Sequence, residues 1–131
     1  MRSALATAQT IAVVGHSDKP HRTSYQIAHY LRAQGYTVYP VNPTVEMIDD
    51  EKSYPSLAEI PDPIDIVNVF RRSEFLPAII DEAIAINAKT IWTQLGVIDI
   101  SARDKALTHN IAVAMDRCIK VDHARLDVAR K

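Results

Sequence analysis

The chain has 131 residues, which is enough for one domain with its own core and leaves little length for a second. Its 15 basic and 16 acidic residues give a net charge of −1, so no overall field favours nucleic acid or a membrane surface. A single cysteine excludes an internal disulfide and a multi-cysteine metal cluster. The N-terminal stretch lacks the apolar region of a secretory signal, and no apolar run reaches the ~18 residues of a membrane span. We therefore expect one soluble, cytoplasmic domain over residues 1–131.

The first predicted elements are a strand at residues 11–14 and a helix from Thr23. The strand is a continuous β-branched run that ends at Gly15, which is typical of a strand buried on both faces. Thr23 and Gln26 have the spacing of a capping box at a helix start. Gly35 provides the left-handed residue that ends this helix.

The second strand is predicted at residues 37–41, where Pro40 lacks the N–H that a strand ladder needs. We interpret Pro40 as the point near which this strand leaves the sheet. Residues 43–63 hold four prolines and an acidic run, and they predict a loop with one helical turn near residues 57–60. This loop replaces the helix that would normally connect the second and third strands.

The remaining elements alternate regularly. Strands are predicted at residues 65–70, 90–94 and 111–115. Between them lie a helix from Ser73 or Pro77 to Ala85, and a shorter helix from Ser101 to His109. In the shorter helix, Asp104 occupies the capping-box position and Asn110 the stop.

Alternation of strands and helices indicates parallel strands joined by right-handed crossovers. The pattern predicts an α/β fold of the Rossmann-like, doubly wound type, with a five-stranded parallel sheet in three α/β/α layers. We predict the strand order 3-2-1-4-5, with the flavodoxin-like order 2-1-3-4-5 as the alternative. In the predicted order, a ligand crevice lies beyond the carboxyl ends of the first and fourth strands.

The carboxyl ends of the predicted strands collect positive charge. The loop after the first strand contributes Lys19 and Arg22, and Arg71 and Arg72 follow the third strand, with Asp18 opposing them. Unpaired N–H groups and the helix dipole favour phosphate at a helix N-terminus, and arginine adds bidentate contacts. This edge therefore predicts an anion site, although Arg71 and Arg72 are also explained as solvated loop charges.

The glycine fingerprint G-x-G-x-x-G of dinucleotide enzymes is absent, because only Gly15 occupies a suitable place. Pro20 makes the loop longer and stiffer than a tight dinucleotide turn. An NAD site also requires an acidic residue at the end of the second strand, where this chain has Asn42 and Pro43. These departures count against NAD, and less strongly against NADP.

Segments throughout the chain resemble the small stand-alone CoA-binding domain proteins, relatives of the N-terminal domain of the succinyl-CoA synthetase α subunit. The resemblance covers about residues 9 to 126. The sequences Y-P-V-N-P at residues 39–43 and V-F-R-R at residues 69–72 are together quite specific. Further matching segments lie at residues 11–17, 20–25, 54–57, 92–96 and 115–120.

The resemblance implies a Rossmann-like, nucleotide-binding fold that holds coenzyme A. It places the loop after the first strand at the CoA phosphates and the ends of the second and third strands beside the nucleotide. The loop after the fourth strand then faces the pantetheine arm. The implied cofactor-binding residues are Gly15, His16, Ser17, Arg22, Ser24, Asn42, Pro43, Phe70, Arg71, Arg72, Gln94 and Gly96.

No catalytic set of residues is predicted. The ligases that share this domain carry their phosphorylated histidine on a second domain, so we interpret His16 as a loop or phosphate contact. The histidines have no i, i+4 pair, and no metal site is predicted. Cys118 is either a half-buried structural thiol or, with Arg117 and Lys120 beside it, a thiol that reacts with that of CoA.

We therefore expect a binding module that holds CoA or an acyl-CoA in a basic cleft, without catalysis of its own. The alternatives are an NAD(P)-binding enzyme and an accessory subunit that presents CoA to a larger ligase or acyltransferase. The expected partner is this small molecule, with no nucleic acid and no membrane. A homodimer is compatible with the sequence but rests on no motif.

Overall fold

The computed structural model describes residues 1–131 and contains a five-stranded parallel sheet with helices on both faces. The strands of this sheet are β1 (Thr10–Val14), β2 (Thr37–Val41), β5 (Ile66–Val69), β6 (Thr90–Thr93) and β7 (Ala112–Ala114). A separate antiparallel hairpin consists of β3 (Met47–Ile48) and β4 (Glu51–Lys52). The α-helices are α1 (Arg2–Thr7), α2 (Thr23–Ala33), α3 (Leu76–Ala85), α4 (Ile100–Thr108) and α5 (Ile119–Arg125). None of these helices has the length and apolar character needed to cross a membrane.

Two apolar clusters hold the layers together, one on each face of the sheet. Along β1, the side chains of Ala12 and Val14 join the cluster under α3 and α4, and those of Ile11 and Val13 join the cluster under α1, α2 and α5. This alternation follows from the two-residue period of a strand. β5 is the central strand of the sheet and β6 lies beside it, and both are buried along their whole length because helices cover both faces. The predicted Rossmann-like α/β class is confirmed.

The predicted strand order is wrong. The sheet has the order β2-β1-β5-β6-β7, which is 2-1-3-4-5 when only its five strands are counted. The predicted order required β2 to pair on both edges. In the structure β2 is an edge strand of the sheet, where the missing N–H of Pro40 breaks no ladder. The carbonyl of Pro40 points away from β1 and accepts the Tyr54 N–H at 2.9 Å.

The connection from β2 to β5 contains the predicted turn of helix, at Leu57–Glu59, and also a hairpin that was not predicted. Asp49 and Asp50 form its two-residue turn, with φ values of 48° and 67°. Positive φ at both central residues is the hallmark of a type I′ turn, and aspartate tolerates it better than most residues. This acidic turn brings the hairpin against α2, where the Tyr25 hydroxyl donates to the Asp49 carboxylate.

The helix ends agree only in part with the sequence. The two predicted stops are confirmed, since Gly35 has a φ of 98° and Asn110 a φ of 62°. The capping box predicted at Thr23 is absent, because the N-cap of α2 is the preceding residue and makes no side-chain hydrogen bond. The predicted capping box of Ser101 and Asp104 is also absent, because α4 begins earlier and its N-cap is Asp99, which accepts the Ala102 N–H. Neither α1 nor α5 was predicted.

Candidate functional site

A cleft of about 720 Å³ opens at the carboxyl edge of the sheet, over the ends of β1 and β5. The order of the strands reverses between β1 and β5, which is where doubly wound sheets bind ligands. The crevice was predicted between the first and fourth strands of the sheet, and the structure has it between the first and the third. Among the predicted binding residues, the cleft is lined by Gly15, Ser17, Arg22, Ser24, Asn42 and Phe70.

Gly15 lets the chain turn sharply as it leaves β1. Its φ is 87°, and a Cβ added there would lie 2.5 Å from the carbonyl oxygen of Phe70 at the end of β5. Both the positive φ and the close approach require glycine. As a result, the loop after β1 and the end of β5 form adjoining walls of one cleft.

The N-terminus of α2 faces this cleft with free hydrogen-bond donors. The first N–H of the helix with a backbone acceptor is that of Gln26, which donates to Arg22 at 3.1 Å. The preceding N–H groups of Thr23, Ser24 and Tyr25 have no acceptor in the protein. Since these donors coincide with the positive end of the helix dipole, the site suits an anion.

Two positively charged side chains line the cleft. Lys19 and Arg22 both line it and form no ion pair, and His21 lies between them in sequence. Asp18 is the acidic side chain on the same wall. The loop is tied to the start of α2, since the N–H of Ser17 donates to the Ser24 hydroxyl at 2.9 Å.

His16 does not line the cleft, because its side chain is fully buried behind the loop. Its Nδ1 lies 2.7 Å from the carbonyl oxygen of Ser17, and its Nε2 lies 3.4 Å from Nη1 of Arg32. The ring of Tyr25 packs edge-on against it, with 6.0 Å between the ring centroids. Burial lowers the pKa of His16, and the neighbouring Arg32 charge lowers it further.

Asn42 ties the end of β2 to the loop. Its amide Nδ2 donates to the His16 carbonyl at 2.9 Å, and its Oδ1 accepts from the backbone N–H and the hydroxyl of Thr44. Thr44 and Val45 also line the cleft, which the sequence did not predict. They follow Pro43 in a loop with no periodic pattern, so only the fold could place them there.

A second, smaller cleft of about 160 Å³ adjoins the first. It is mainly apolar, with Val14, Val41, Pro43 and Leu57 among its lining residues. Arg71 also lines it, with its guanidinium 4.3 Å from the centre of the Phe75 ring. The two clefts share no lining residue, but neighbouring residues at the ends of β1, β2 and β5 line them, so both clefts open at the same edge of the sheet.

Three of the predicted residues lie elsewhere on this edge. Arg72 is exposed and pairs with Glu74 at 3.1 Å. Gln94 and Gly96 line neither cleft and belong to the loop after β6, whose Gly96 N–H donates to Asp116 at 2.6 Å. The loop after β6 therefore lies outside both clefts.

Cys118 is half-buried at the N-cap of α5, packed against the cluster under α2. The guanidinium of Arg117 makes two hydrogen bonds of 2.8 Å to Asp122 instead of reaching the thiol. No group of three histidine, cysteine, aspartate or glutamate side chains is close enough to hold a metal ion.

The chain is similar to proteins of about its own length and to short parts of larger proteins. It is 43% identical over 124 residues to Uncharacterized protein YneT of Bacillus subtilis, covering 95% of this chain and 92% of that one. A solved structure from Thermus thermophilus shares 38% identity and a TM-score of 0.89, over 95% of both chains. The alpha subunit of ADP-forming acetate–CoA ligase I from Pyrococcus furiosus is 34% identical over 85 residues, which are 60% of this chain and 18% of that subunit.

The family described as CoA binding domain has a sequence profile that matches residues 9–124. This range contains both clefts and every strand of the sheet. The resemblance drawn from the sequence is confirmed: the chain belongs to the family of CoA-binding domains and is homologous to part of the ADP-forming acetate–CoA ligases.

Proposed function

We propose that the chain binds coenzyme A, free or acylated, in the cleft over β1 and β5. The observation that carries this proposal is the pair of N–H groups at Thr23 and Ser24, which have no acceptor in the protein and belong to residues that line the cleft beside two unpaired cations. The diphosphate of CoA supplies the negative oxygens that these donors lack. The cleft volume of about 720 Å³ lies within the ordinary range for small-molecule sites.

The smaller cleft is suited to the adenine of the same ligand. Val14, Val41 and Pro43 give it apolar walls. The guanidinium of Arg71, fixed over the Phe75 ring, offers a flat cationic surface on which a base can stack. A nucleotide with its base here has its phosphates beside Gly15, because neighbouring residues of the same strands line both clefts.

The end of β2 disfavours NAD as the ligand. An NAD site needs a carboxylate there to accept from both ribose hydroxyls. Asn42 occupies this place, and its amide is engaged with His16 and Thr44. No free acidic acceptor remains at this position for a ribose.

We propose further that this chain performs no chemistry on CoA by itself. The cleft hydroxyls of Ser17 and Ser24 accept backbone N–H groups, and neither is hydrogen-bonded to a histidine that could activate it. The ligase relatives suggest a second role, in which the domain presents CoA to a larger enzyme. Acetyl-CoA incubated with the protein alone should stay intact by chromatography, and enzyme-dependent hydrolysis or transfer would contradict this part of the proposal.

The binding test is titration calorimetry with CoA, acetyl-CoA, NAD, NADP and ATP. We expect CoA or acetyl-CoA to bind most tightly and to raise the melting temperature. Arg22→Ala should weaken CoA binding about tenfold, since a charge-assisted hydrogen bond contributes ~1.5 kcal/mol. The loss should be smaller at high salt.

Arg130→Ala is the matched control, because it removes an exposed positive charge that lies outside both clefts. It should leave CoA affinity unchanged. Binding of NAD without binding of CoA, or equal losses in the two arginine variants, would overturn the proposed site.

A further inference from the structure

The buried imidazole of His16 has one neutral form that satisfies both of its neighbours. A carbonyl oxygen only accepts, so Nδ1, at 2.7 Å from the oxygen of Ser17, must carry the hydrogen. Nε2 then has a lone pair, which points at Nη1 of Arg32, a group that only donates. Two independent contacts therefore select the same tautomer.

This tautomer fixes the orientation of the peptide between Ser17 and Asp18. In a trans peptide the C=O and the following N–H point in opposite directions. Because the Ser17 carbonyl is held toward the buried ring of His16, the N–H of Asp18 points away from that ring. Asp18 lines the cleft, and its N–H has no acceptor in the protein.

Other contacts hold this arrangement in place. The carbonyl of His16 accepts from Asn42 at 2.9 Å, and the N–H of Ser17 donates to Ser24 at 2.9 Å. Arg32 does not line the cleft, and its Nη2 is buried and without a partner. The peptide between Ser17 and Asp18 has the imidazole as its one hydrogen-bond partner, and the Ser17 hydroxyl, which accepts the Lys19 N–H at 3.0 Å, supports the turn that follows.

We propose that His16 is a positioning residue, which turns the Ser17–Asp18 peptide so that the Asp18 N–H, and not the Ser17 carbonyl, faces the phosphates of the ligand. This inference rests on the proposed function and adds to it a donor outside α2. If the peptide were reversed, the Ser17 carbonyl oxygen would face the phosphate and repel it, and the Asp18 N–H would no longer donate to it. A role for His16 as a direct phosphate contact is thereby replaced by an indirect one.

The test compares two substitutions that differ in one hydrogen bond. His16→Asn keeps an N–H close to the place of Nδ1, whereas His16→Phe keeps the ring shape and removes the donor. We expect the CoA affinity of His16→Asn to stay within about threefold of wild type, and that of His16→Phe to fall about tenfold or more, as loss of a hydrogen bond worth ~1.4 kcal/mol requires. Rescue by asparagine is not expected if His16 only fills space.

A direct readout comes from the amide resonance of Asp18 in ¹H–¹⁵N NMR spectra. Saturating CoA should shift this resonance strongly in wild type and in His16→Asn, since a phosphate becomes its acceptor, and the shift should be lost in His16→Phe. If His16→Phe fails to fold, the other two spectra still test the inference, because an Asp18 resonance that does not move in wild type or in His16→Asn would contradict it.

Two results would overturn the inference, and they are distinguishable. If wild type binds CoA but the Asp18 resonance does not move, or if both variants bind as wild type does, His16 does not position this peptide. If wild type does not bind CoA at all, the proposed function fails and the inference fails with it.

Discussion

Substitution of Gly15 by alanine tests how closely β1 and β5 approach each other at the cleft. The new Cβ would lie 2.5 Å from the Phe70 carbonyl oxygen and 3.0 Å from Cδ of Arg71. The arginine side chain can move, but the carbonyl belongs to the backbone of a central strand end. The substitution therefore forces the loop or the sheet edge to shift.

The structure contains a matched control for the backbone strain alone. Gly96 has a φ of 84°, nearly the same as the 87° of Gly15, but an added Cβ there has nothing within 4 Å. A left-handed non-glycine residue costs ~1–2 kcal/mol, and this cost applies at both sites. The steric contact at Gly15 adds about 1–3 kcal/mol, the usual cost of overpacking. We expect Gly15→Ala to destabilise by about 3 kcal/mol and Gly96→Ala by roughly 1.5 kcal/mol.

Urea unfolding and thermal melting of both variants measure this difference. At roughly 4 °C per kcal/mol for a domain of this size, Gly15→Ala should melt about 12 °C below wild type and Gly96→Ala about 6 °C below. Only Gly15→Ala should also weaken CoA binding, because only Gly15 lines the cleft. Equal destabilisation by the two substitutions would refute the argument, since the contact with Phe70 would then cost nothing.

Three further predictions concern polar side chains. Burial lowers the pKa of His123, so the unfolded chain binds more protons near pH 6.5 and below, and the free energy of unfolding should fall as the pH drops from 7.5 to 5.5. Urea unfolding should show a smaller fall in His123→Gln, and the same fall in both proteins would contradict the lowered pKa of His123. Asp122→Asn should lower the free energy of unfolding by roughly 2–3 kcal/mol, because the buried carboxylate holds Arg117 with two hydrogen bonds. Arg125→Ala is the control and should lower it by under ~1 kcal/mol, since it removes one contact of 3.4 Å at an exposed side chain; similar losses in both variants would refute this reasoning. Asn42→Asp should weaken CoA binding more than tenfold, as measured by calorimetry, since a carboxylate oxygen would face the His16 carbonyl and add negative charge to the cleft over β1 and β5. An unchanged CoA affinity would mean that the phosphates bind elsewhere.

The sequence predicted the elements that have a strong periodic pattern. The strand at β5 and the helix at α3 are apolar at regular spacing, and both were found with ends within a few residues of the prediction. The short helices α1 and α5 carry no such pattern. Only Leu5 is buried in α1, and the buried residues of α5 include Asp122 and His123, which local sequence alone marks as polar.

The predicted cleft residues lie at strand ends or in the loop between β1 and the start of α2. Gly15, Asn42 and Phe70 adjoin their strands, and their places follow from the strands themselves. His16 lies two residues after β1, and its ring is buried among contacts with Tyr25 and Arg32, which are further along the chain. The hairpin was missed because its strands have two residues each and no alternating pattern.

The wrong strand order and the glycine at the cleft have the same explanation. In the order 3-2-1-4-5, β5 would lie beyond β2, and its carboxyl end could not approach the residue that follows β1. In the structure, β5 pairs directly with β1, and the Phe70 N–H donates to the Val14 carbonyl at 2.8 Å. That pairing brings the Phe70 carbonyl so close to Gly15 that no Cβ fits. It also sets Arg71 beside Gly15, so one pairing between neighbouring strands both requires the glycine and places the two clefts at the same edge of the sheet.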